Sequence, residues 1–121
     1  MKILVVDDST FARGILIREL KANGIAESEI SQSDNGAGAM ESMAAQAFDL
    51  ALLDIVMTGI DGIAVLKAFK ETQPKAKVIM CSSHSSPEAL EELKALGSDA
   101  FLLKPFSAQE FKEVVGPFLE K

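Results

Sequence analysis

The chain has 121 residues, 48% hydrophobic and 25% charged, a balance that suits one globular domain with a real core and excludes disorder. A formal charge of -6 argues against sequence-independent binding to nucleic acid, and no run approaches the roughly 18 apolar residues of a membrane span. The single cysteine, Cys81, rules out an internal disulfide and fits a reducing cytoplasm, while two acids in the opening apolar segment do not suit a signal peptide.

Ile3-Leu4-Val5-Val6 is a short β-branched run, so a strand, and Asp7-Asp8 end it. Ser9 or Thr10 can cap a helix with Phe11, Ile15, Leu16 and Leu20 at helical spacing, stopped by Asn23-Gly24. Glu29 to Ser33 reads as a weak, polar strand at a sheet edge. Asp34-Asn35-Gly36 gives a turn and cap, and Ala39, Met40, Met43, Ala44 and Ala47 mark a second helix. The central stretch, Phe48 to Gly62, contains Leu50-Ala51-Leu52-Leu53 without clean alternation, the pattern of a strand buried on both faces. Asp54 closes it.

Past Asp61-Gly62, Ile63, Val65, Leu66 and Phe69 form the inward face of a third helix that ends before Pro74. Lys77 to Cys81 is another buried strand, closed by Ser82-Ser83. Ser85-Ser86-Pro87-Glu88 opens a fourth helix, with hydroxyl cap, proline and acid in its first turn. Leu90, Leu93 and Leu96 are its core face, and Gly97 terminates it. Asp99 to Leu103 is the last strand, followed by Lys104-Pro105. Ser107 caps a final helix with Phe111, Val114, Val115 and Phe118 inward, and Gly116-Pro117 should fray or bend its end. Five strands alternating with five helices predict an α/β fold: a five-stranded parallel sheet, helices on both faces, right-handed crossovers. Alternation leaves the strand order open.

A parallel sheet brings the carboxyl ends of its strands to one edge, where ligands bind in such folds. Here those ends carry Asp7 and Asp8, Asp54, Ser82 and Lys104. Crowded carboxylates repel one another unless a cation sits among them, and hard oxygen ligands suit Mg²⁺. A carboxylate beside Mg²⁺, an ammonium and a hydroxyl is what phosphoryl transfer to an aspartate requires. Each residue has a plainer reading as solvated loop acid, surface lysine or capping serine. Complementary groups at four of five strand ends argue against coincidence.

VVDDS (Val5 to Ser9), LLDIVMTGIDG (Leu52 to Gly62), CSS (Cys81 to Ser83) and LLKPF (Leu102 to Phe106) occur in that order. Together they resemble the response-regulator receiver domains of two-component signalling, in particular the single-domain CheY type, over nearly the whole chain. The resemblance implies a flavodoxin-like sheet of order 2-1-3-4-5, and one receiver domain over residues 1–121 with no output domain. It implies that Asp54 is the phosphoacceptor for a histidine kinase. Asp8 and Asp54 would hold Mg²⁺ with the backbone carbonyl of Val56, and Asp7 would act through water. Lys104 would contact the phosphoryl oxygens, the Lys104–Pro105 peptide would be cis, Ser82 would hydrogen-bond the phosphoryl group and move toward it, and Phe101 would be the aromatic switch. The output surface would be the fourth helix, last strand and last helix, roughly Glu88 to Leu96, Phe101 and Phe111 to Val115. A monomer in the cytoplasm is expected, catalysing only its own phosphorylation and dephosphorylation rather than acting as an enzyme.

Some residues depart from the family pattern. Thr58 replaces the usual proline, and Phe101 replaces the commoner tyrosine, so its switching would rest on packing. Val56 and His84 resemble the variable positions that tune phosphoryl loss, and Val56 has no polar atom to orient an attacking water. Slow self-hydrolysis relative to members with a polar residue there is expected, unless His84 supplies the contact. The DDSTFAR opening (Asp7 to Arg13) is similar to chemotaxis regulators that bind the flagellar motor switch, while a phosphorelay intermediate is the main alternative. An aspartyl-phosphate hydrolase would need a second acid as general base, for which Asp7 is available, and a covering cap that is not encoded. A flavodoxin-like FMN carrier would need a phosphate-cradling first loop, where Asp7-Asp8 would repel phosphate.

Overall fold

A computed structural model describes residues 1–55, 61–83 and 86–119. The strands are β1 (Ile3–Val6), β2 (Ile30–Ser33), β3 (Leu50–Asp54), β4 (Lys77–Ser82) and β5 (Ala100–Leu103). The helices are α1 (Thr10–Ala22), α2 (Gly36–Ala45), α3 (Gly62–Thr72), α4 (Pro87–Ala95) and α5 (Ala108–Leu119). All strand pairs are parallel, in the order β2-β1-β3-β4-β5, which resolves what alternation left open.

The absence of a polar face in β1, β3 and β4 follows from two separate cores. Leu4, Val6, Ala51, Leu53, Val78 and Met80 pack toward α2, α3 and α4, around Phe69 and Leu93. The alternate residues Ile3, Val5, Leu50, Leu52, Ile79 and Cys81 pack toward α1 and α5, around Leu16, Leu20, Phe111 and Val115. Each fully buried large side chain contributes about 1.5–3 kcal/mol relative to exposure, so burial on both faces holds the sheet between its helices. The same alternation decides where the strand tips point. Continued past the last paired residues, it puts Asp7, Asp54 and Lys104 on the α1–α5 side, and Ser82 and Phe101 on the other.

Several local expectations are corrected. Phe11 is not core: it is 79% exposed. The inward line of α1 runs back from Leu20 and Leu16 to Ala12, and the first turn overhangs the end of β1, where no sheet remains to cover Phe11. The second strand begins at Ile30, because Glu27–Glu29 form a 3-10 turn. The second helix ends at Ala45, leaving Ala47 outside it. There the Gln73 side chain donates to the carbonyls of Met43 and Gln46 and accepts from the Phe48 N–H, at 2.8–3.1 Å. Asp99 precedes β5, since its carboxylate accepts from the Val78 N–H and from Lys70, both at 2.8 Å. Finally, α5 runs through Gly116-Pro117 to Leu119 instead of fraying. Ser107 caps it in a reciprocal box with Glu110.

Candidate functional site

The site forms at the carboxyl edge because β1, β3, β4 and β5 all end there. Asp7 directly follows β1 and is 1% exposed. Its Oδ1 accepts from the Ser9 N–H at 2.9 Å, and its Oδ2 from Lys104 Nζ at 2.8 Å. Its own N–H donates to the Ser33 carbonyl at 3.2 Å, continuing the β1–β2 ladder one residue outward. Ser9 in turn caps α1, accepting from the Ala12 N–H. Both carboxylate oxygens and the N–H of Asp7 are therefore satisfied, which tolerates its burial.

Asp54 ends β3 with its side chain 14% exposed, and its Oδ1 lies 3.6 Å from Lys104 Nζ. The exposed Asp8 completes the group: one oxygen from each of Asp7, Asp8 and Asp54 lies within 4.8 Å of the others. Burial alone would push the Lys104 ammonium down. The hydrogen bond to Asp7 and the charges of Asp54 and Asp7 outweigh it, so its pKa is raised from 10.5 and it is cationic at neutral pH. Lys104 is delivered by β5, whose next N–H donates to the Ser82 carbonyl at 2.7 Å. The Lys104–Pro105 peptide is cis.

Ser82 is buried at the tip of β4, paired with Leu103. Phe101 is half-buried against the α2–α4 core, two residues back on the same face. Cys81 sits opposite Asp54 in the sheet. Burial pushes its thiol up from 9.0 to about 12, Lys104 opposing and Asp54 and Asp7 reinforcing. It is a protonated core residue, as a cysteine in a buried strand should be. Val56, Thr58 and His84 lie outside the described residues.

Two residues at the site were not singled out by sequence reasoning. A Cβ on Gly62 would collide with the carbonyl of Asp54 and come within 2.9 Å of the Ile55 Cα, while the Gly62 N–H donates to the Ile55 carbonyl at 3.0 Å. Thus α3 starts directly on the backbone that carries Asp54. The Asp61-Gly62 pair was visible as a helix start, but nothing in it announces that approach. Arg13 is the other; its guanidinium donates to the Asp7 carbonyl at 2.6 Å. Beside the cluster, a groove of about 280 Å³ is lined by Ala12, Ile15, Leu16, Ser83, Lys104, Pro105 and Phe106.

The donor set fits a hard divalent cation: three carboxylates, one exposed and one half-buried, with no thiolate or imidazole among the clustered ligands. An ammonium shared between two of those carboxylates can also follow negative charge that arrives on either.

Residues 3–116 match the model of the response regulator receiver domain. The chain is 33% identical to the chemotaxis protein CheY of Bacillus subtilis over 118 residues, covering 98% of this chain and 97% of that one. It is 31% identical to the sporulation initiation phosphotransferase F of the same organism, covering 98% and 93%. Among solved structures, the response regulator TrrA of Thermotoga maritima, in complex with Mg²⁺-BeF, superposes with a TM-score of 0.84 at 34% identity, covering 98% of this chain and all of that one. The flavodoxin-like arrangement implied by the motifs is the arrangement found.

Proposed function

The chain belongs to the response regulator receiver domain family, and from that premise we propose that it accepts a phosphoryl group from a histidine kinase on Asp54 and thereby changes its affinity for a downstream protein. The observation that carries this reading is the shared ammonium of Lys104, 2.8 Å from Asp7 and 3.6 Å from Asp54 within the acid cluster. Asp54 Oδ attacks phosphorus, the bond to the donor nitrogen breaks, and Lys104 follows the new charge on the phosphoryl oxygens. Asp8, Asp54 and the Val56 carbonyl would hold Mg²⁺, with Asp7 joining through water, and the ion would neutralise charge on the transferring oxygens. Ser82 at the strand tip hydrogen-bonds the phosphoryl group, and Phe101 on the same face turns inward as Ser82 moves, altering the face formed by α4, β5 and α5. Because Val56 has no polar side-chain atom to orient an attacking water, phosphoryl loss is slow unless His84 supplies that contact.

The test is intact mass after incubation with Mg²⁺ and acetyl phosphate. One phosphate adduct, absent in Asp54→Asn, is expected; no adduct refutes the reading. Steady phosphate release over many turnovers would instead indicate a hydrolase, and a yellow protein an FMN carrier. The donor must approach the carboxyl edge, where exposed Phe11 and the neighbouring groove offer apolar surface. A Phe11→Ala chain should then lose phosphotransfer from a histidine protein and keep that from acetyl phosphate; equal loss from both donors would refute the docking role.

We further propose a single cytoplasmic receiver domain over residues 1–121, monomeric, serving chemotaxis through a flagellar motor-switch target. The end-to-end similarity to the Bacillus subtilis CheY supports this. The comparable similarity to a sporulation phosphotransferase favours the second reading, a phosphorelay intermediate. Phosphotransfer onward to a second histidine protein, against phosphorylation-dependent capture of a switch protein, separates them.

A further inference from the structure

We propose that Arg13 is a positioning residue for the divalent-cation site, holding the peptide between Asp7 and Asp8 in the orientation that presents the Asp8 carboxylate to the ion. The inference rests on the reading of the acid cluster as a Mg²⁺ site. Arg13 lies in the first turns of α1, half-buried, and all three guanidinium nitrogens are engaged. Nη1 donates to the Asp7 carbonyl at 2.6 Å, Nε to Gln32 Oε1 at 3.2 Å, and Nη2 to Thr10 Oγ1 at 3.4 Å.

The carbonyl that Arg13 grips is the oxygen of the Asp7–Asp8 peptide bond. The Asp7 side chain is already held by Ser9 and Lys104, and its N–H by Ser33. The Ser9 bond closes a turn around the following peptide, and the tilt of that peptide plane within the turn sets where Asp8 points. Arg13, bonded to the carbonyl of that peptide, fixes the tilt. Gln32, exposed on the edge strand β2 and paired with Val5 of β1, aims the guanidinium by accepting from Nε. A planar fork can make these bonds at once, whereas a lysine offers a single point of donation. Fixing the backbone behind a ligand is the outer support that metal sites depend on, and losing such support lowers affinity about 10–100-fold.

Charge and positioning predict opposite signs here. If Arg13 acted only as a cation near the cluster, removing it would tighten Mg²⁺ binding by lifting a repulsion. If it positions Asp8, removing it weakens binding despite that relief. The experiment is Mg²⁺ titration of the unphosphorylated protein by calorimetry and by backbone amide shifts. For Arg13→Met the expected result is affinity reduced about tenfold or more, with Arg13→Lys recovering part of it. Phosphorylation from acetyl phosphate should return toward the wild-type rate as Mg²⁺ is raised to saturation. Unchanged or tighter Mg²⁺ binding by a folded Arg13→Met overturns the proposal. Should that variant fail to fold, Gln32→Leu decides: weaker Mg²⁺ binding supports the role and unchanged binding refutes it. A wild-type protein that binds no Mg²⁺ would instead overturn the metal reading itself.

Discussion

Replacing Lys104 with methionine keeps most of the side-chain volume and removes the ammonium that touches both Asp7 and Asp54. At an effective dielectric of about 20, the attraction lost is roughly 6 kcal/mol to Asp7 at 2.8 Å and roughly 5 kcal/mol to Asp54 at 3.6 Å. These are gross terms, offset by the desolvation that the ammonium no longer suffers. Asp54 is partly exposed, but Asp7, 1% exposed, stays buried and, among the described residues, keeps the Ser9 N–H on its carboxylate. Deleting one partner of a buried ion pair costs about 3–5 kcal/mol. The Lys104 side chain is 23% exposed, so screening trims the expected loss to about 2–3 kcal/mol at pH 7. With an unfolding entropy of about 2.1 cal/mol/K per residue, that lowers Tm by about 10 °C. Calorimetry at pH 7 checks it, with two controls. Adding Asp7→Asn to Lys104→Met should recover most of the loss, because the orphaned charge is gone. Mg²⁺ should raise the Tm of the variant more than that of the wild type, since a cation again faces the acids. A shift under about 2 °C, worth roughly half a kcal/mol by the same entropy, or no response to Asp7→Asn, would refute the coupling.

Between pH 9 and 12 the unfolded chain ionises Cys81 while the folded chain, its thiol pushed up to about 12 by burial, does not. Stability is therefore full below pH 9 and falls as pH rises, by about 1.4 kcal/mol per unit from this group. Lys104, raised from 10.5, adds a loss of the same sign as pH climbs through its folded value. Urea unfolding of Cys81→Ala over pH 9–11 should show a slope reduced by about one proton, and an unchanged slope would contradict it. Gly62→Ala should cost about 1–3 kcal/mol from overpacking and slow phosphoryl uptake by displacing Asp54. Gly14→Ala, where an added Cβ meets nothing, should be neutral or stabilising by up to about 1 kcal/mol; equal effects of the two would sink the steric account. Val56→Asn should speed decay of the phosphorylated form, followed by phosphate release after removal of the donor, and a slower or unchanged decay would show that Val56 does not limit hydrolysis.

Much of the fold and the acid-lysine cluster was legible because the signals were short-range and mutually consistent. Runs such as Leu50 to Leu53 declare strands buried on both faces, and a parallel sheet then forces their carboxyl ends together. What sequence reasoning missed depends on contacts between elements. Phe11 has helical spacing from Ile15, yet whether a first turn overhangs the sheet depends on where β1 stops. The end of α2 is met by the amide of Gln73, the residue that caps the end of α3 before Pro74. Arg13 acquires its role through Gln32 on a neighbouring strand. The approach of Gly62 to the Asp54 backbone has no local signature beyond a common turn dipeptide.

The Lys104–Asp7 bond joins residues 97 positions apart, and this gives the protein a timetable. During synthesis the amino-terminal strands emerge first, so Asp7, Asp8 and Asp54 are all available some fifty residues before the lysine that offsets their repulsion. Loop closure over such a span is entropically expensive until most of the sheet is in place. A nascent or truncated chain that stops short of β5 presents the acids without their ammonium. On the function proposed above, competence to accept a phosphoryl group waits for β5 to join the sheet, and phosphorylation would report that the sheet has been completed.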